Sequence, residues 1–318
     1  NEIKVSRISH DAKAVNKNKP DFVLFKGDVP IIYIEVKNIG EPLEKLQDSE
    51  QILRYRYRYS NFVLSDYLEF RFYRNGLVYQ DPIRIAENDA KSRTIVPIPQ
   101  NYEFLARTLT EFTQSYKEPI KSGLHLAKIM AGKAQRIRDD VNEALKGESA
   151  RKENLNGIFE VFKTLLVHDL SVSQFSDMYA QTLVYGLFVA RYYDKTEKSF
   201  TRGEARDLIP KSNPFLRSFF DHIAGSDFDE KLEYIVDELC EVFSYADVEK
   251  LMKDYYKEED GKDPIIHFYE DFLEEYDPVL RKKMGAYYTP QPIVNFIVRS
   301  VDYILKNDFK IPEGLVNS

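Results

Sequence analysis

Near Pro99 the spacing of apolar residues changes from about two to about 3.6, so the two parts of the chain cannot share one architecture. From Ile3 to Pro99 the apolar runs are short and rich in β-branched and aromatic side chains: "DFVLF", "PIIYIEVKN", "NFVLSD", "LEFRFYRNG" and "LVYQDPIRI". Gly, Pro and Asn-Gly punctuate them, as they do between strands. One stretch, "DSEQILRYRYRY", is mixed. Its arginines and tyrosines alternate as in a strand. Yet Ser49 stands as an N-cap, Glu50 falls in a first turn, and Ile52, Leu53, Tyr55 and Tyr59 are expected on one side, which favours helix. Strands wrapped around one or two helices predict an α/β or α+β domain.

Beyond Pro99 the pattern is helical. "NYEFLARTLTEFTQSY", "GLHLAKIMAGKAQRIRDDVNEALKG", "LNGIFEVFKTLLVHDL", "VSQFSDMYAQTLVYGLFVARYY", "NPFLRSFFDHIAG", "FDEKLEYIVDELCEVFSY" and "IHFYEDFLEEYD" all read as amphipathic helices. Asp169-Leu170-Ser171 and Ser212-Asn213-Pro214 are helix starts. No fixed period recurs, so a bundle is expected rather than a solenoid. A basic, Gly-containing break, "RKKMGAYYTPQPIV", then leads through Thr289-Pro290 into "QPIVNFIVRSVDYILKN".

Composition narrows the function classes. With 43% hydrophobic and 31% charged residues in 318, the chain can bury a core, and wholesale disorder is excluded. No apolar run approaches the roughly 18 residues that span a bilayer, and no secretory signal is seen, so a cytoplasmic protein with no membrane partner is expected. The first residues, "NEIKVSRI", are already strand-like, and the natural N-terminus is expected further upstream. The single cysteine, Cys240, excludes an intramolecular disulfide and a Cys-based zinc site, and it reads as core filler. Net charge is −7, but charge segregates: "RYRYRYS" and "EFRFYRNG" are basic, whereas "KEEDGKD" and "EDFLEEYD" are acidic. Local patches, not averages, bind phosphates. Arg54, Arg56 and Arg58 are the candidate DNA contacts, with arginine stems covering a helix as the alternative.

The candidate chemistry lies in "PDFVLFKGDVPIIYIEVKN", Pro20 to Asn38. Residues two apart on a strand share a face. Glu35 and Lys37 therefore point one way with Tyr33, while Ile32, Ile34 and Val36 point the other. If "DFVLF" pairs with this strand, Asp21 comes beside Glu35. Two carboxylates with a neighbouring carbonyl make an oxygen site for a hard cation such as Mg²⁺, with a lysine near the attacked phosphate. Taken alone, Glu-x-Lys on a strand is common and reads as a solvated face. The apolar flanks, the Pro-Asp pair and Gln51-x-x-x-Tyr55 on the next helix, i to i+4, add weight to a site.

Pro20-Asp21 followed by Glu35-x-Lys37 resembles the signature of the PD-(D/E)XK nucleases. Gln51-x-x-x-Tyr55 is similar to an element found in a subset of them among restriction enzymes, where the pair lies by the active site and DNA. The resemblance implies Asp21, Glu35, Lys37, Gln51 and Tyr55 as catalytic residues, with Asp21 and Glu35 holding Mg²⁺. Near the other end, "GAYYTP" resembles motif X of N6-adenine methyltransferases. That resemblance implies that Tyr287, Tyr288, Thr289 and Pro290 border a pocket for S-adenosylmethionine, complete only in the full-length protein. At a helix start, free N–H groups and the dipole suit the cofactor's carboxylate.

Nearly the whole chain thus resembles, in order, the nuclease, helical coupler and first methyltransferase residues of Type IIG/IIL restriction–modification enzymes. The related Type ISP enzymes insert an ATPase, and no Gly-x-x-x-x-Gly-Lys-Ser/Thr occurs here. The Gly-rich motif I, the Asn-Pro-Pro-Tyr/Phe motif and a target-recognition domain are absent from this sequence. The implied organisation is an α/β PD-(D/E)XK domain at 1–117, an all-α helical coupler at 118–284, and the start of a methyltransferase at 285–318. The implied activity is that of a type II site-specific deoxyribonuclease domain acting on double-stranded DNA, with self-association as one route to cutting both strands. The alternative is a non-catalytic, nuclease-like module serving DNA binding or assembly in an adenine-specific methyltransferase.

Overall fold

The computed structural model describes residues 5–10, 19–27, 29–89, 94–114, 120–147, 150–165, 167–196, 199–210, 213–253, 255, 264–279, 282 and 291–317. The first part is a mixed sheet. Strands β1 (Arg7–His10), β2 (Phe22–Lys26), β3 (Val29–Val36), β4 (Asn61–Ser65), β5 (Glu69–Arg74) and β6 (Leu77–Val78) lie side by side in chain order, and β7 (Ile83–Arg84) also pairs with β5. All neighbours are antiparallel except β3 and β4. A parallel pair needs a crossover. Here it contains α1 (Leu43–Leu46) and α2 (Glu50–Arg58). The β5–β6 hairpin turns on Asn75 and Gly76, both left-handed at φ 46° and 85°, the pair that such a turn favours. Strands β8 (Ala86–Asp89) and β9 (Thr94–Pro97) form a separate hairpin.

The "RYRYRY" stretch is helical despite its alternation, because helix buries the right side chains. Ile52, Tyr55 and Tyr59 pack with Tyr33, Leu43, Phe62, Leu64 and Tyr73 on one side of the sheet. Alternation along β3, β4 and β5 sends Ile32, Val63 and Phe72 to the other side, where Ile83 and Phe112 of α3 (Tyr102–Phe112) cover them. Two expectations fail locally. Leu53 is exposed, since it lies about 100° round the helix from Ile52. Ser49 occupies the N-cap, but its side chain makes no capping bond.

The second part is a bundle of α4 (Gly123–Lys146), α5 (Ala150–Leu165), α6 (Val172–Tyr193), α7 (Arg202–Leu208), α8 (Pro214–Ala224), α9 (Glu230–Tyr245), α10 (Val248–Lys253) and α11 (Pro264–Tyr276). They share one apolar cluster running from Leu126 to Tyr276, which includes Cys240. Core membership thus breaks between Phe112 and Leu126. Ser171 and Gln174 form a full capping box, and Asn213 accepts from the Leu216 N–H. The helices α7 and α10 were not expected from sequence, being too short to display a period. A last helix, α12 (Gln291–Asn307), follows. Among the described residues no helix is long and apolar enough to cross a membrane.

The two parts meet where α4 crosses α2. Gly132 makes this possible: a Cβ there would lie 2.5 Å from the Tyr57 carbonyl oxygen. Arg58 reaches across to the Gln135 carbonyl at 3.3 Å and to Asp139, and His125 Nε2 donates to the Asn75 carbonyl at 2.9 Å.

Candidate active site

Strand β3 ends beside three partners. Its antiparallel register with β2 pairs Phe22 with Ile34, so one further step brings Asp21 opposite Glu35. Asp21 Oδ2 accepts the Val36 N–H at 2.8 Å, which fixes this carboxylate at the strand end. On the α2 side, Lys37 Nζ donates to Glu35 Oε1 at 2.8 Å. Gln51 Nε2 donates to the same oxygen at 3.3 Å, and Gln51 Oε1 lies 3.5 Å from Lys37 Nζ. Tyr55, one turn after Gln51, donates its hydroxyl to the Lys19 carbonyl at 3.0 Å and so anchors the chain just before Pro20-Asp21. Asp21, Glu35, Lys37, Gln51 and Tyr55 therefore gather at one end of β3.

The electrostatics follow from burial. Glu35 is only 6% exposed. Burial pushes its carboxyl above the ordinary value; the Lys37 ammonium pulls it back down, and the charge of Asp21 adds to the rise. Burial also raises the Tyr55 hydroxyl, with Gln51 opposing. Tyr55 is therefore a hydrogen-bonding group here and not a base.

The neighbouring strand end is held by Asp66, which sequence reasoning did not single out. Asp66 Oδ1 accepts from the Leu68 and Glu69 N–H groups at 3.1 and 2.8 Å, and Oδ2 accepts from Gly40 at 3.1 Å. The Asp in "SDYLEF" is a turn signal that could have found it. The Lys37 N–H donates to the Ser65 carbonyl at 2.8 Å, so the β3–β4 pairing continues past Glu35.

The arginine run is split. A helix steps about 100° per residue, so positions two apart face different ways. Arg56 is 9% exposed and donates from Nε and Nη2 to the Gly76 carbonyl at 3.0 and 2.8 Å, with its guanidinium over the Tyr73 ring. Arg58 is 3% exposed and bonded to Gln135 and Asp139. These two are committed within the molecule, which corrects the expectation of a phosphate-facing row. Arg54 is half-buried, and the DNA-contact expectation rests on it alone.

Among the described residues no three His, Cys, Asp or Glu side chains gather to hold a metal ion, so Asp21 and Glu35 stand as a pair. Tyr287, Tyr288, Thr289 and Pro290 lie outside the described residues.

The family described as N-6 DNA Methylase matches residues 260–311. No curated protein matches the sequence. Among solved structures, the chain aligns with one titled "cryoEM structure DrdV-DNA complex" at 16% identity and a TM-score of 0.33, covering 92% of this chain and 26% of that one. It therefore spans about a quarter of the length of that chain.

Proposed function

We propose that the strand-rich part is a Mg²⁺-dependent DNA endonuclease of the PD-(D/E)XK kind. The helical part would join it to an N6-adenine methyltransferase that begins near residue 285 and uses S-adenosylmethionine. The observation that carries the nuclease reading is the meeting of Asp21, Glu35, Lys37 and Gln51 at the end of β3. The match of 260–311 to the N-6 DNA Methylase family supports the second activity. That reading also accounts for α12, which exposes Ile293, Phe296, Ile297, Val301 and Ile304, as a helix belonging to a larger core would.

The donor set suits a hard cation but is small. Asp21 and Glu35 offer carboxylate oxygens, and Mg²⁺ commonly binds through one or two carboxylates while water and substrate phosphates complete its shell. When bound, the ion would neutralise charge on the attacked phosphate and acidify a water. The protein's own groups do the rest. Asp21 is held in place by the Val36 N–H, and Gln51 orients Glu35. Lys37, at the mouth of the site, supplies positive charge for a phosphate oxygen and holds the attacking water in line. Double-stranded DNA is the proposed partner, approaching the end of β3 where Lys37 stands.

The test uses the full-length protein with Mg²⁺ and plasmid DNA. Lys37→Ala and Glu35→Ala each abolish cleavage and leave adenine methylation intact. Retained cleavage in either variant refutes the nuclease assignment, and a wild type that methylates but does not cut favours a DNA-binding module.

A further inference from the structure

The strand that carries Glu35 is tied to the helical bundle by its own side chain two residues earlier. Tyr33 shares the α2-facing side of β3, and its hydroxyl accepts from Arg136 Nη2 of α4 at 2.6 Å. The Arg136 guanidinium sits among the rings of Tyr33, Tyr59 and Tyr234, at 5.1, 5.3 and 5.4 Å from their centroids. Its Nη1 reaches Glu238 Oε2 of α9 at 3.4 Å. Glu238 also accepts from Lys133 Nζ and from the Tyr234 hydroxyl, each at 2.5 Å. Lys133, with no exposed surface, donates in turn to Ser60 Oγ at 2.9 Å. One carboxylate on α9 thus fastens the β3–α2–β4 unit at two points, Tyr33 on the strand and Ser60 just before β4.

Such a group has a cost. Burial opposes the charge on Glu238, and Lys133 and Arg136 together hold its carboxyl below the ordinary value. Buried ion pairs add little net stability, because desolvation offsets their attraction. What they supply is direction. Arg58 and His125 already tie α4 to α2 and to the β5–β6 turn, and Arg136, fixed between a carboxylate and a phenol, ties it to β3 as well.

We infer that Arg136 is a positioning residue for the β3 site: braced by Glu238, it holds the strand through Tyr33 and so sets where Glu35 and Lys37 stand against a DNA phosphate. This rests on the nuclease reading. It makes the helical bundle a working part of the site rather than a spacer.

Tyr33→Phe removes only the oxygen that Arg136 meets and keeps the ring stacked on Tyr59. In the full-length protein with Mg²⁺ and plasmid DNA, it lowers kcat for cleavage by about tenfold or more, the scale on which small misplacements act, while KM for DNA is unchanged. Arg136→Met loses more, and Arg136→Lys recovers part of that loss. Glu35→Gln is the inactive control. The inference is overturned if Tyr33→Phe and Arg136→Met both cut at the wild-type rate while Glu35→Gln is inactive. It is also overturned if the losses track thermal unfolding, with kcat per folded molecule constant. Cleavage by Glu35→Gln at the wild-type rate refutes the nuclease reading itself and takes this inference with it.

Discussion

Gln51 Nε2, on α2, donates from 3.3 Å to the same Glu35 oxygen that Lys37 holds. The helix thus reaches down to the strand and sets how the carboxylate is turned. On the proposed nuclease reading, Gln51 orients the carboxylate and Glu35 acts.

Gln51→Ala therefore weakens cleavage without abolishing it. A drop of roughly 10- to 100-fold in kcat is expected, the scale of a modest misplacement of reacting groups. Glu35→Ala, by contrast, leaves no measurable cleavage. Single-turnover plasmid nicking distinguishes the two, and equal losses contradict the orienting role.

The raised Glu35 carboxyl has a consequence for stability. A carboxyl whose folded value exceeds its unfolded value favours folding below the unfolded value and loses that contribution as pH rises through the folded one. Above that window the folded protein bears a buried charge. Glu35→Gln should then raise the thermal midpoint relative to wild type at pH 8, and the difference should shrink as pH falls into the carboxylate range. Calorimetry across pH 4 to 8, on the order of these limits, checks it; a difference that grows toward low pH contradicts it.

Arg56 and Arg58 act through folding. Arg58→Ala breaks the bridge to Asp139 and Arg56→Ala leaves the Gly76 carbonyl without its donor. Each costs about 1–3 kcal/mol of stability. Neither should change the slope of DNA affinity against salt, whereas Arg54→Ala lowers that slope by about one charge's worth. Denaturant unfolding alongside salt titrations separates the roles.

Gly132→Ala places a methyl 2.5 Å from the Tyr57 carbonyl oxygen, which is backbone and cannot turn aside. The α2–α4 contact must open, at a cost of about 1–3 kcal/mol for overpacking. Hydrogen exchange should report it first at α2, and unchanged protection there would contradict the close approach.

Local pattern accounts for much of this molecule. The long helices announce themselves by period, and the strands by short β-branched runs between Gly and Pro. The grouping of Asp21, Glu35, Lys37, Gln51 and Tyr55 was also legible, because each relation is short-range: a spacing of two on a strand, an adjacent antiparallel partner, and a spacing of four on the next helix. The periodicity of "RYRYRY" was ambiguous, and burial of Ile52, Tyr55 and Tyr59 resolved it as helix.

What the chain's own periodicities determined, then, are its elements and the convergence at the end of β3, since both depend on neighbours a few residues or one hairpin apart. Tertiary structure alone decided which arginines are buried and how the bundle grips the strand. Arg58 meets Asp139 across 81 residues, and Arg136 meets Tyr33 across 103. Such contacts arise when two finished surfaces dock, and at Gly132 it is the near absence of a side chain that lets them. No local pattern records a partner that distant, because the free energy that selects it is gained only when both surfaces leave water together.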